Sequence, residues 1–163
     1  MPRTYNRAAA VAYAHEWAYS RNPRYYDFSG IGGDCTNYAS QVLYAGSQVM
    51  NYSSDNPWYY NNLNSRSPSW TDVDLLHKFL VTNRTRGPYA IETDVSRMSP
   101  GDIIQLSFVG RNDFNHSPVV VAVGNPPQLN NILIAAHSAD RDHYPLTNYH
   151  WLHIRFLHIL GVY

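Results

Sequence analysis

Cysteine is almost absent from this chain: among 163 residues there is one, Cys35. No internal disulfide can form, and the cysteine count leaves the redox compartment open. A charge of one sign is also lacking. Lys and Arg number 12, and so do Asp and Glu. The chain therefore has no long-range electrostatic footprint for nucleic acid or an anionic membrane, and no nucleic-acid partner is expected. Long hydrophobic runs are missing too. The longest near the start, residues 8–14, runs into His15-Glu16 and reads as part of an amphipathic helix. Neither a signal peptide nor a membrane-inserting segment is predicted, so a soluble chain is expected, with a cell-wall or extracellular place only as part of an exported precursor. There is no internal repeat and no linker. The length suits a single domain over 1–163, and nothing in the composition sets an oligomeric state.

Tyrosine is plentiful by contrast: 14, with 4 tryptophans, against 5 phenylalanines. Tyr and Trp offer flat contact area with a polar handle, which suits a carbohydrate or peptide groove and equally a small core with wet edges.

Helical periodicity over residues 5–19 ends at Asn22-Pro23, because the residue before proline avoids the helical region. An aromatic loop, Tyr25-Tyr26-Asp27-Phe28, leads to glycines at 30, 32 and 33. A second helix is predicted over 35–45 with Gly46 as its stop, and a third over 71–83. Between them, 47–69 is polar, carries Trp58-Tyr59-Tyr60 and leads into Trp70. No long periodic element fits it, so it reads as a lid or groove wall, or as an aromatic loop laid on the core. Strands are predicted over 103–109, 117–124, 132–137 and 152–162, with Asn125-Pro126-Pro127-Gln128 as a hairpin loop. The valine-rich 117–124 reads as buried on both faces. Helices followed by strands signal an α+β fold, an antiparallel sheet packed on the cysteine helix.

Cys35 falls at a helix start, after Asp34, a good N-cap type. Unpaired N–H groups and the helix dipole favour a thiolate there; a buried structural cysteine is the alternative. A thiol nucleophile needs a base, and the base needs an orienting group. His15 and His77 sit on predicted helices and His150, His153 and His158 near the last strand, where packing roles are expected. His116 starts one predicted strand, after the polar loop 110–115, and His137 ends the next. In an antiparallel hairpin those two positions are neighbours. If that end meets the cysteine helix, the three residues can form nucleophile, base and orienter. The Cys35 N–H is a natural oxyanion donor, with Asp34 or Asn37 as possible helpers, although Asp34 is read first as a cap.

The run Gly32 to Gln41, Gly-Asp-Cys-Thr-Asn-Tyr-Ala-Ser-Gln after its first glycine, resembles the putative amidase domain family of the papain-like amidases and peptidases, alongside the CHAP-type and NlpC-type cell-wall hydrolases. Further matching motifs follow in order. They are Asn22-Pro23 with its aromatic loop, Trp58-Tyr59-Tyr60, Ser69-Trp70-Thr71, Pro100-Gly101-Asp102, His116-Ser117-Pro118-Val119 and Ala136-His137-Ser138-Ala139-Asp140. Pro118 departs from the usual isoleucine or valine, which an edge or bulged strand would tolerate. The resemblance implies a papain-like fold in which Cys35 attacks a carbonyl, His116 is the general base and His137 orients it, with Asp140 the runner-up.

A cysteine-dependent amide hydrolase is thus expected, working through a thioester. No cofactor or metal is required, Trp58, Tyr59 and Trp70 wall the groove, and the substrate is a peptide or a peptide of bacterial peptidoglycan. Two rivals stand beside it. His137, Asp140 and His143 fall three apart and could hold zinc. The same fold could also bind peptide or glycan without cleaving it.

Overall fold

The computed structural model describes residues 1–111 and 113–163; Asn112, within the polar loop before His116, lies outside them. Three helices carry the first half. α1 (Arg7–Trp17) begins where the Asn6 side chain accepts the Ala9 N–H at 3.0 Å. α2 (Cys35–Ser47) begins at Asp34, whose side chain makes no capping hydrogen bond. α3 (Val73–Thr82) is capped by Asp72, which accepts the Leu75 N–H at 2.9 Å. α2 runs through Gly46 and stops at Gln48, which takes a left-handed φ of 58°. Gly46 is thus not the stop its residue type predicts. The Tyr5 ring lies where its Cβ would be, so the missing side chain serves packing.

A hairpin of β1 (Tyr60–Asn62) and β2 (Ser65–Arg66) stands apart within the 47–69 segment. The remaining strands are β3 (Pro88–Thr93), β4 (Ile103–Ser107), β5 (Phe114–His116), β6 (Val119–Ala122), β7 (Leu133–Ala136), β8 (Arg141–Pro145) and β9 (His153–Val162). They form one antiparallel sheet in the order β3-β9-β4-β6-β7-β8, with β5 also paired to β4. The architecture is α+β, as the order of periodicities predicts.

Side chains alternate across each strand, so one strand feeds two cores. Ile103, Val119, Val121, Ala135 and Leu157 pack with α1 and α2. Ile104, Leu106, Val120, Ile134 and Phe156 pack on the opposite face beneath Met98, Leu146 and Tyr149. Burial on both faces accounts for the valine run. β5 and β6 share β4 as partner and are separated by Ser117-Pro118: Leu106 faces His116, Ile103 faces Val119, and the Pro118 carbonyl accepts the Ile104 N–H at 2.9 Å. Proline, which has no N–H to give to a ladder, sits at that break. Among the described residues no helix is long and apolar enough to cross a membrane.

Candidate active site

Cys35 is the first residue of α2 and half-buried. It lines a cleft with Gly32, Gly33, Thr36, Asp72 and Asn115. Gly32 and Gly33 hold φ of 81° and 99°, a left-handed backbone that side chains resist, and open space lies where their Cβ atoms would be. The turn therefore leads into α2 while leaving the mouth of the cleft bare.

The thiol lies against the strand that carries His116. Cys35 Sγ is 3.7 Å from the Asn115 carbonyl oxygen. One residue on from Cys35 and two from Asn115, the hydroxyls of Thr36 and Ser117 meet at 3.1 Å, and Gln105 Nε2 donates to Ser117 at 3.2 Å. This clamp ties the start of α2 to the residue that follows β5 and His116. His116 Nε2 lies 3.1 Å from the Tyr149 hydroxyl, and the two rings meet edge to face at 5.1 Å. With Nε2 engaged, Nδ1 has no hydrogen-bond partner among the described residues. Burial pushes the His116 pKa down to about 4 and, as the dominant effect, pushes the Cys35 thiol up; hydrogen bonds from Thr36 and the Ser117 backbone oppose the latter. The pair at rest is a neutral thiol beside a neutral imidazole. That corrects the thiolate expected from a helix start: desolvation outweighs the dipole and hydrogen bonds here. Burial also raises the Tyr149 hydroxyl, and charge on Cys35 acts in the same direction, so this side chain stays protonated.

His137 is placed elsewhere. Its Nδ1 lies 2.6 Å from Asp34 Oδ2, both side chains being buried, and its Nε2 lies 2.8 Å from the Trp17 carbonyl oxygen. Asp34 Oδ1 accepts the Phe28 N–H at 2.8 Å and the Asn37 amide at 2.9 Å. Turned into this network, the carboxylate does not cap α2, which leaves the first-turn N–H groups unclaimed by it. Asp140 receives a bidentate Arg21 guanidinium at 2.9 and 3.0 Å, and Arg21 Nη1 also stands 3.1 Å from His137 Nε2. His137 and Asp140 thus anchor the entrance of the cysteine helix, while the partner of His116 is Tyr149. Asn37 gives both amide hydrogens away, to Asp34 and to the Tyr26 carbonyl, and accepts the Trp70 indole N–H at 2.9 Å. It supports the site and has no donor left for an oxyanion.

Trp58 and Trp70, expected as groove walls, are fully buried. Their rings pack at 4.7 Å, and Trp58 donates its indole N–H to Ser40 of α2 at 3.1 Å. An indole that finds an acceptor on the helix gains more from burial than from lining a wet cleft. Tyr59 stays half-buried, stacked on Tyr52 at 4.7 Å. The residues that the pattern did not single out are Tyr149 and Arg21. One was hidden among 14 tyrosines, the other lay in the loop after α1, and neither carries a local signal.

The triplet His137, Asp140 and His143 does not converge on a metal. The first two are engaged as above, and His143 packs on His15 instead.

Residues 4–160 match the family described as Putative amidase domain, and the chain belongs to that family. It is 35% identical over 130 residues to an uncharacterized protein, YhbB, of Bacillus subtilis (strain 168). That match takes in 77% of this chain and 40% of the relative, so the chain spans about two fifths of the relative's length. No solved structure matches.

Proposed function

We propose that this protein hydrolyses amide bonds with Cys35 as nucleophile and His116 as general base. Amide hydrolysis at a general level follows from the family's description; the cysteine mechanism is our reading. The observation that supports it is the Thr36–Ser117 clamp, which joins the residue after the cleft-lining Cys35 to the residue after the buried, neutral His116.

The chemistry is that of a general-base pair. A substrate carbonyl seated in the cleft is attacked by Sγ as its proton passes to His116 Nδ1. The carbonyl oxygen, now negative, is met by the Cys35 N–H at the uncapped start of α2. The C–N bond breaks as His116 returns the proton to the leaving amine, and a thioester remains. Water then gives its proton to the same nitrogen, attacks the thioester and releases the acid and the thiol. Tyr149, accepting from Nε2–H, holds the tautomer with the lone pair on Nδ1, the part that His137 or Asp140 was expected to play. The substrate is an amide in a peptide, and the papain-like resemblance points to bacterial peptidoglycan peptides. The binding-module alternative loses its stacking platform, because Trp58 and Trp70 are core.

Wild type and Cys35→Ala, incubated with soluble peptidoglycan fragments and followed by mass spectrometry, provide the test. Amine release by the wild type and a loss of about a thousandfold or more in the variant are expected. His116→Ala should lose amine release and acylation of Cys35 together, because the same imidazole serves both steps. Cleavage that survives Cys35→Ala would overturn the mechanism.

A further inference from the structure

Away from the cleft, α1 and the edge strand β8 bring two imidazoles and a carboxylate together. His15 Nδ1 lies 2.9 Å from Asp142 Oδ1 and 2.8 Å from Oδ2, and His143 Nδ1 lies 3.6 Å from that same Oδ2. The two rings are stacked, centroids 4.4 Å apart and planes 10° from parallel, so both present their Nδ1 edges to one carboxylate. One ligand atom from each residue falls within 4.8 Å of the others. His143 takes a φ of 50°, uncommon for a residue other than glycine, and its N–H donates to Asp142 Oδ1 at 2.8 Å. Tyr19 steadies the same turn, accepting the Asp142 N–H at 3.1 Å.

We propose that His15, Asp142 and His143 form a site for one divalent transition-metal ion of the zinc class. Metal bonds of about 2.0–2.1 Å in a tetrahedral arrangement separate neighbouring ligand atoms by roughly 3.3 Å. The observed 2.8 and 3.6 Å bracket that spacing, the two imidazole nitrogens lie within 4.8 Å of each other, and the stacked rings must turn to bring both lone pairs onto one ion. Two imidazole nitrogens and one carboxylate oxygen favour a borderline ion over calcium or magnesium, which take oxygen sets. His143 is 65% exposed, which gives the ion a path in and leaves its remaining position to water. In a neutral His15 ring, binding at Nδ1 leaves the ring proton on Nε2. Its effect would be structural: it ties the end of α1, whose Trp17 carbonyl meets His137, to the strand following Asp140. It does not depend on the hydrolase reading.

The test uses full-length, tag-free, metal-stripped Cys35→Ser protein, so that the thiol cannot bind the probe. Zinc chloride is titrated by calorimetry and by thermal unfolding, in this protein and with His143→Asn or His15→Gln added. One equivalent bound with a rise in Tm, weakened at least tenfold by either added change, supports the site. No saturable uptake, or weakening below tenfold in either variant, overturns it. Because the thiol is absent throughout, the result is independent of whether Cys35 catalyses anything.

Discussion

Asp34 and Cys35 are adjacent in the chain and belong to regions built in opposite ways. On the Asp34 side nearly every polar atom is used: its carboxylate holds a histidine, a backbone N–H and an amide, while Arg21 grips Asp140 beside it. On the Cys35 side little is used among the described residues, with a thiol at 3.7 Å from its hydrogen-bond partners and a histidine engaged through Nε2. The two histidines, at the ends of nearby strands, divide the same way. Among the described residues His137 has partners at both ring nitrogens and His116 at one. Saturation fixes a group, and an unspent lone pair leaves it free to react. Sequence position alone cannot tell one histidine from the other, because the difference lies in what each meets across the sheet.

The comparison breaks most severely at the saturated side. His137→Ala leaves the buried Asp34 carboxylate without its closest partner and should cost about 3–5 kcal/mol in urea unfolding. A loss under about 1 kcal/mol would show that the network does not anchor α2. The reactive side should differ in its response to acid. Unfolded His116 binds a proton near its ordinary value, 6.5, and folded His116 only near about 4. Between those values the unfolded state holds more protons, so stability should fall as pH drops through this window and recover above it. The contribution is on the order of 3 kcal/mol. Wild type compared with His116→Phe isolates it; equal slopes in both would remove the claim that His116 is held neutral by burial. The smallest effect sharpens the contrast. Tyr149→Phe removes one hydrogen bond to Nε2, worth about 1 kcal/mol, so turnover should drop roughly fivefold. Its acid limb should move while the midpoint of unfolding hardly changes. Unchanged turnover and pH profile would return the orienting part to another residue.

Much of the frame could be read in advance. The three helices and strands β4, β6, β7 and β9 lie within a few residues of their predicted ranges, because each buries a periodic apolar face. β3 and β8 escaped notice for a physical reason. Both are sheet edges, and β8, Arg-Asp-His-Tyr-Pro, carries the polar residues and proline that guard an edge. β1, β2 and β5 are too short to show a period. In the site, Cys35 stands out by position, His116 stands out no more than His137, and the clamp of Thr36 and Ser117 was in view only as flanking sequence. What Asp34, His137 and the tryptophans do was not legible, since it depends on partners more than 10 residues away, such as Trp70 on Asn37 and Asp34 on His137.

The place of β9 has a consequence in time. It lies between β3 and β4, although it follows both in the chain by dozens of residues. As a ribosome extends the polypeptide, β3 has no sheet neighbour and β4 lacks one of its two sides until residues 153–162 emerge. The cysteine helix and the histidine strand are made early, but the sheet that holds them in register closes last.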